Sequence, residues 1–462
     1  MIRRIAWREF IEFIRDGRLP LVGGLFAVLL VVLLAVGWLQ ESNLNSERSA
    51  AQGMDYNDWL NQKNRHPHDA AHQGMHVFKP IPRLFLIDPG IDPFVGSTIW
   101  LRSHRQSEVK FRPAQDLTGL QRFGTLSAAW MLQILGPLFV IVLGFGALSG
   151  EREQGTLRQT LSLGVAPQQI LWGKALALAG SLALLLLPAL LLALTGAGSA
   201  IEQDRLDLLI RLILLGVGYA LYLGIAIFVT LAVSAVAPSS RISLVLLIGL
   251  WIASVIVAPR IAADLSKAWH PNPTGVEFNT RLDNDLEHRY RKVWKEKLGT
   301  EKRWGPELPL NRWGEALKVD DHAGYEVTDE HFARLWDAFA LQQQSQEWIG
   351  LAVPVLAIRG FSMGMAGTDF FHHREFAQAA ERQRRLIQDT MSKDLIEHAD
   401  PLGNQHFSYK AGSSLWASVP PFEYSPPKVG FALRHNKTSL FVLLAGLLTW
   451  IGIAHLAMPR SA

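Results

Sequence analysis

Six apolar runs dominate this chain, near residues 20–39, 126–148, 175–196, 208–236, 242–259 and 438–458. Each reaches or approaches the roughly 20 residues that a helix needs to cross the hydrocarbon core of a bilayer. In that solvent a backbone must satisfy its own polar groups, which leaves helices and closed barrels. The fold class expected is mainly α, a six-span helical membrane protein. Composition agrees: 49% of the 462 residues are hydrophobic, well above what an ordinary soluble domain needs for its core. The formal net charge is only +4, and the basic residues are dispersed, so no nucleic-acid partner is expected. The chain has no cysteine, which removes disulfides, thiolate metal sites and cysteine nucleophiles from consideration. Fifteen tryptophans suit interfacial belts.

Residues 1–19 carry Ile2, Ala6, Phe10, Phe13 and Ile14 along one helical face, with Arg4, Arg8, Glu9, Glu12 and Arg15 on the other. That pattern predicts an amphipathic helix lying in the membrane interface. The run 20–39 is of spanning length, and no small-residue cleavage pattern follows it, so it reads as a retained first span. Two long polar stretches separate the runs, a first loop over 40–125 and a second domain over 260–437. With the N-terminus inside, Arg3, Arg4, Arg8, Arg15, Arg18, Arg152, Arg158, Lys174, Arg241 and Arg460 fall on the cytoplasmic side. The short outer connection then holds Glu202, Asp204 and Asp207, as the positive-inside rule requires. Both polar stretches become extracytoplasmic, both termini cytoplasmic, and the setting expected is a bacterial inner membrane. The outer domain is expected to be large and mostly helical.

The spans are nearly free of ionisable groups. Arg211 sits about one turn inside the fourth, where its side chain can snorkel outward, and His455 lies near the end of the sixth. A proton- or sodium-driven transporter would be expected to bury carboxylates at the midplane, and no span contains one. Gln133, Thr230, Ser234 and Ser254 read as helix–helix contacts. The pair Gly173-Lys174 lacks the preceding glycine of a phosphate loop. Energy for any transport must come from another subunit.

Between the second and third runs, residues 149–174 form a short charged segment: Ser149-Gly150-Glu151-Arg152-Glu153-Gln154-Gly155-Thr156-Leu157, a helix-like stretch to Leu163, then Ala166-Pro167-Gln168 and Gly173-Lys174. A solvated hairpin would account for the charges alone. The acidic-basic run followed by Gly-Thr-Leu resembles the coupling-helix signature of ATP-binding-cassette type 2 permeases. The resemblance implies a dimeric membrane unit, an exporter in family habit, whose cytoplasmic ATPase subunit carries ATP and Mg and whose dimer mate is a second copy or a related permease. It implies coupling roles for Glu151, Arg152, Gly155, Thr156, Leu157, Leu161, Pro167, Gly173 and Lys174. Glu151 and Arg152 would make rim contacts to the ATPase, and Leu157 and Leu161 would fill its groove. Gly155 would give the backbone room, Pro167 would end the helix, and Gly173 would let the third span pack closely.

In the second polar stretch, Phe278, Leu282, Leu286, Tyr290 and Val293 at helical spacing predict an amphipathic helix over 276–298. A second, over 372–396, carries Phe376, Ala380, Ile387, Met391 and Leu395, with Asp369 as its N-cap. The two are expected to pair. Between them, 349–356 is apolar but too short to span. Gly367, Thr368, Asp369, His373, Phe376, Glu381 and Arg384 resemble the pattern of long-loop permeases that carry domain of unknown function 3526, whose outer domain lies between spans five and six. A periplasmic partner and membrane lipid are further contacts that this architecture implies, and no cofactor is expected in the chain itself.

Two other classes compete. One is a membrane-anchored periplasmic binding or assembly protein without transport. The other is a metalloenzyme: His68, His72 and His76 would share one helical face with divalent-metal spacing. Pro67 and Gly74 weaken such a helix, so a solvated His-rich loop is the expected state and no metal is assigned. His372 and His373 with Asp369 and Glu375 could be drawn as a hydrolytic site, but adjacent histidines point to different helix faces.

Overall fold

The computed structural model describes residues 1–106, 126–198, 202–403 and 406–458. Helix α1 (Ile2–Arg15) ends at a turn where Gly17 adopts φ +81°, and a π-helical turn over Arg18–Gly23 leads into α2 (Gly24–Leu60). At about 1.5 Å per residue, the 37 residues of α2 exceed the bilayer core by several turns. The expected polar loop after residue 39 therefore starts as a continued helix. The reason is local: no Pro lies between residues 21 and 66, and Asn45, Arg48 and Gln52 share one face. Asn45 both donates to the Ile81 carbonyl (3.0 Å) and accepts from the Ile81 N–H (2.9 Å), while Arg48 reaches the Lys79 carbonyl (2.6 Å). Gln52 accepts from the Phe78 N–H (3.0 Å). The face thus pairs with an extended backbone as a neighbouring strand would.

That backbone belongs to a small subdomain: α3 (Pro67–Gln73), β1 (Met75–Phe78), α4 (Asp92–Val95) and β2 (Thr98–Leu101), the strands antiparallel with Met75 opposite Leu101. The bundle follows with α5 (Ala128–Gly144), the short α6 (Ser149–Glu153) and α7 (Thr156–Ser162), then α8 (Pro167–Gly198) and α9 (Glu202–Val236). Next, α10 (Ser240–Trp251) runs through a π-helical turn (Ile252–Val257) into α11 (Ala258–Trp269). Among the described residues six helical segments are long and apolar enough to cross a membrane: Arg18–Leu60, Ala128–Glu153, Pro167–Leu187, Arg205–Val236, Ser240–Trp269 and Val429–Ala457.

The second polar stretch contains α12 (Gly275–Val293), α13 (Trp313–Ile349), α14 (Pro354–Ala366), α15 (Phe370–Glu397) and α16 (Ser413–Ser418) before the last span, α17 (Val429–Ala457). Helix α12 begins in a capping box, with Thr274 and Glu277 each bonding the other's backbone N–H. The expected pairing of α12 with α15 is corrected by α13, a 37-residue helix against which both pack. Its sequence mixes apolar, aromatic and charged residues on all sides because it is covered from two directions, so no single apolar stripe announces it. The short apolar stretch near 354 is the start of α14, buried against α9 and α17. Leu282, Leu286 and Trp294 centre one polar-domain core. Trp59, Phe376, Ile387 and Trp416 centre another.

Candidate functional site

The charged segment between the second and third spans folds as two short helices on a bonded base. The N–H groups of Leu148 and Ser149 donate to the Ser234 hydroxyl (3.0 and 3.1 Å), and Ser243 donates to the Phe145 carbonyl (2.7 Å). Serines from α9 and α10 thereby satisfy the backbone where α5 gives way to α6. Arg152 caps the C-terminal end of α9, donating to the carbonyls of Ala235 and Ala237, where the helix dipole favours a cation. Glu151 pairs with Lys174 (2.9 Å), and Lys174 also pairs with Glu9 of α1 (2.7 Å). Lys174 is 2% exposed. Burial raises the Glu9 carboxyl above its usual range even though the ammonium opposes that shift.

Several expectations about this segment change. Glu151 and Arg152, expected at the rim, are half-buried and make contacts within the chain. Glu9, assigned to the solvent face of α1, is buried because its partner sits in α8. Leu157 points inward and is 4% exposed, whereas Leu163, beyond the end of α7, is 84% exposed. Gly155 has open space around it but takes φ +75°, the left-handed turn that separates α6 from α7. Helix α7 ends at Leu163 and Gly164 (φ +81°), not at Pro167, which opens α8 as its first residue. Gly173 is close-packed as expected, against α1: an added Cβ would lie 2.6 Å from Cγ2 of Ile5. Thr156 holds the Glu151 carbonyl (3.2 Å), and Leu161 is half-buried. Arg158, Gln159, Ser162, Leu163 and Gly164 are exposed at the tip, and Glu153, Gln154 and Gly155 are exposed at the turn between α6 and α7. An apolar side chain stranded among polar ones at a turn was the signal for Leu163.

The motif in the polar domain forms a joint. Gly367 ends α14 with φ +79°. The Thr368 hydroxyl donates to the Asp88 carbonyl (3.0 Å), and the Ile91 N–H donates to the Thr368 carbonyl (3.1 Å). Asp369 caps α15 by accepting from the His372 N–H (2.9 Å), and its carboxylate also binds His372 Nδ1 (2.6 Å) and Asn436 Nδ2 (3.2 Å). Burial opposes the charge on Asp369, but His372 and Asn436 outweigh it and hold the carboxyl down to about 2. His373 is pushed down to about 3 by burial, and Phe376 packs on Phe422 and Tyr424. Glu381 and Arg384 form a bidentate pair at 2.7 Å. Thr368 and Asp369 tie the α14–α15 junction to the first polar stretch and to α17, and the Glu381–Arg384 pair lies within α15.

Arg211 belongs to the same joint. It pairs with Asp207 (2.7 Å) and donates to the carbonyls of Met365 (3.0 Å) and Pro427 (2.6 Å). Asp88, from outside the spans, is buried and accepts from Ser362 (2.5 Å), which meets Tyr219, which in turn meets Gln133. Burial raises this carboxyl. The spans thus receive a buried acid that no reading of their own sequence reveals. Nearby, an apolar cleft of about 640 Å³ opens between α2, α8, α9 and α17, lined by Leu34, Leu132, Leu182, Leu215, Tyr219 and Phe228 among others.

The histidines also regroup. Pro67 does not weaken α3 but starts it, with His66 as N-cap and Gly74 just past its end. His76 lies on β1 and pairs with Asp55 (2.8 Å), apart from the others. His104 takes its place beside His68 and His72. Burial, then His72 and His104, push the His68 imidazole down to about 3.

The described residues thus form a helical bundle with six segments long and apolar enough to cross a membrane and a bonded two-helix hairpin between the second and third of them. The family described as ABC-2 family transporter protein matches residues 3–298, and the chain belongs to that family, whose members are membrane components of ABC transporters. Domain of unknown function 3526 matches residues 281–425, the stretch that contains α13, α14 and α15. No curated protein matches the chain.

Proposed function

We propose that this chain is the permease subunit of a bacterial inner-membrane exporter, driven by a separate cytoplasmic ATPase and working with a second copy or a related permease. The observation that carries the reading is the build of the α6–α7 hairpin: an exposed tip that includes Arg158, Gln159, Ser162 and Leu163, on a base bonded to α8, α9 and α10, with α8 bonded in turn to α1. Leu163 enters a groove of the ATPase, and Arg158 makes the charged rim contact. Closure of the ATPase around ATP and Mg displaces α7. Arg152 passes that motion to the α9–α10 turn, and Lys174 passes it to α8 and α1, tilting the spans as rigid bodies. Both termini face the cytoplasm and the polar domain faces the periplasm, where it gates the exit or meets a partner. Helix α1 rests at the cytoplasmic interface, with Trp7 and Ile14 turned outward.

The test is co-purification from native membranes. A soluble ATPase is expected with wild type and lost from Arg158→Glu/Leu163→Asp. Full retention of the ATPase by that variant would favour a membrane-anchored binding or assembly protein, whose function needs no α7.

A further inference from the structure

We propose that His68, His72 and His104 form a site for a divalent zinc-type metal ion, with its fourth position open. The three side chains each offer a ring nitrogen, and these atoms all lie within 4.8 Å of one another. His68 and His72 stand one turn apart on α3, their Nε2 atoms 3.0 Å apart. Two nitrogens bound tetrahedrally to zinc at about 2.0–2.1 Å lie about 3.3 Å apart, so a few tenths of an ångström of opening admits the ion.

The backbone holds the third ligand in place. The Ser103 N–H donates to the Ala71 carbonyl (3.0 Å), which fixes the distance between α3 and the segment after β2. His104 itself adopts φ +70°, a left-handed conformation that histidine takes more often than most non-glycine residues. Partners also lie behind the ligands. Ser103 Oγ is 2.9 Å from His72 Nδ1, and Asp321 Oδ1 is 3.8 Å from His104 Nδ1. With Nδ1 of His72 engaged by Ser103, the Nε2 lone pair of that ring is left for a metal, while Nδ1 of His104 is buried without a hydrogen-bond partner. The edge of Trp313 walls off His68 at 4.7 Å between ring centroids, while His72 is exposed and gives access. Three neutral nitrogens and no carboxylate in the ligand set select zinc, copper or nickel over calcium or magnesium. The alternative is a plain hydrogen bond between His68 and His72. The proposal does not depend on the transport reading, since these residues lie in the polar domain.

The experiment uses full-length detergent-solubilised protein carrying a histidine-free tag, titrated with Zn²⁺ against a chromophoric chelator and separately with Co²⁺. One equivalent and the visible bands of tetrahedral cobalt are expected for wild type and for His76→Ala. Ser103→Ala should weaken binding about tenfold or more, as outer-shell losses do, and His104→Ala should abolish it. His104→Cys should rebind cobalt with a new sulfur charge-transfer band, which a misfolded variant would not show. Failure to bind one equivalent, binding unchanged in His104→Ala, or equal loss in His76→Ala would overturn the site.

Discussion

Lys174 Nζ lies 2.7 Å from Glu9 Oε1, joining the first turns of the third span to the N-terminal helix beneath the α6–α7 hairpin. Breaking one side of a buried pair strands the other, at a cost of about 3–5 kcal/mol. Lys174→Met is therefore expected to lower the thermal midpoint of the solubilised protein strongly. Glu9→Gln/Lys174→Met should recover part of the loss, because the buried Glu9 charge is removed and only the partly exposed Glu151 is left without its partner. Equal destabilisation by the single and double variants would refute the pairing account.

Gly173 governs how closely α1 approaches α8. A Cβ there would sit 2.6 Å from Ile5, so Gly173→Val must push α1 outward. A loss of about 1–3 kcal/mol is expected from overpacking, with protease cleavage appearing first in residues 1–17. Unchanged protease resistance would show that α1 is not docked there.

Glu347 ties stability to pH. Burial, the largest influence, and the nearby Asp369 raise its carboxyl to about 7, with Gln343 and Ser439 opposing. The folded state then holds a proton that the unfolded chain releases near pH 4.3. Stability should fall as pH rises from about 4.3 to 7, by about 4 kcal/mol at most. Glu347→Gln should flatten that slope and raise the midpoint at neutral pH. A parallel slope in the variant would assign the effect elsewhere.

Asp369 works in the opposite direction. Its carboxyl is held down to about 2, so its contribution is present above the ordinary carboxylate range and is lost as pH falls toward 2. Asp369→Ala removes a helix cap, worth about 1 kcal/mol, together with the bonds to His372 and Asn436. Asp369→Asn should retain the cap and lose less. The urea midpoint of each variant distinguishes the two contributions.

Much of this architecture was legible in the sequence because bilayer length and helical period are strong constraints. The six spans, α7 over Thr156–Ser162, the Asp369 cap and the α12 and α15 stripes all followed from local pattern. What escaped depends on partners far away in the chain. Nothing near Arg211 announces that the end of α14 will present carbonyls to it, and nothing near Glu9 announces Lys174. A charge reads as solvated until its partner is known. Helix α13 escaped because burial from two sides erases amphipathic contrast, and His104 because a sharp turn, not helical spacing, brings it to His68.

The central claim is that the tip of α7 meets an ATPase, and site-specific photo-crosslinking in native membranes tests it most directly. A photoreactive residue at position 163, which is 84% exposed, is compared with one at position 157, which is 4% exposed. An adduct from 163, and not from 157, with a soluble protein carrying a phosphate loop is the result expected. Adducts from 163 with lipid alone, or no adduct while the protein remains folded and abundant, would contradict the account.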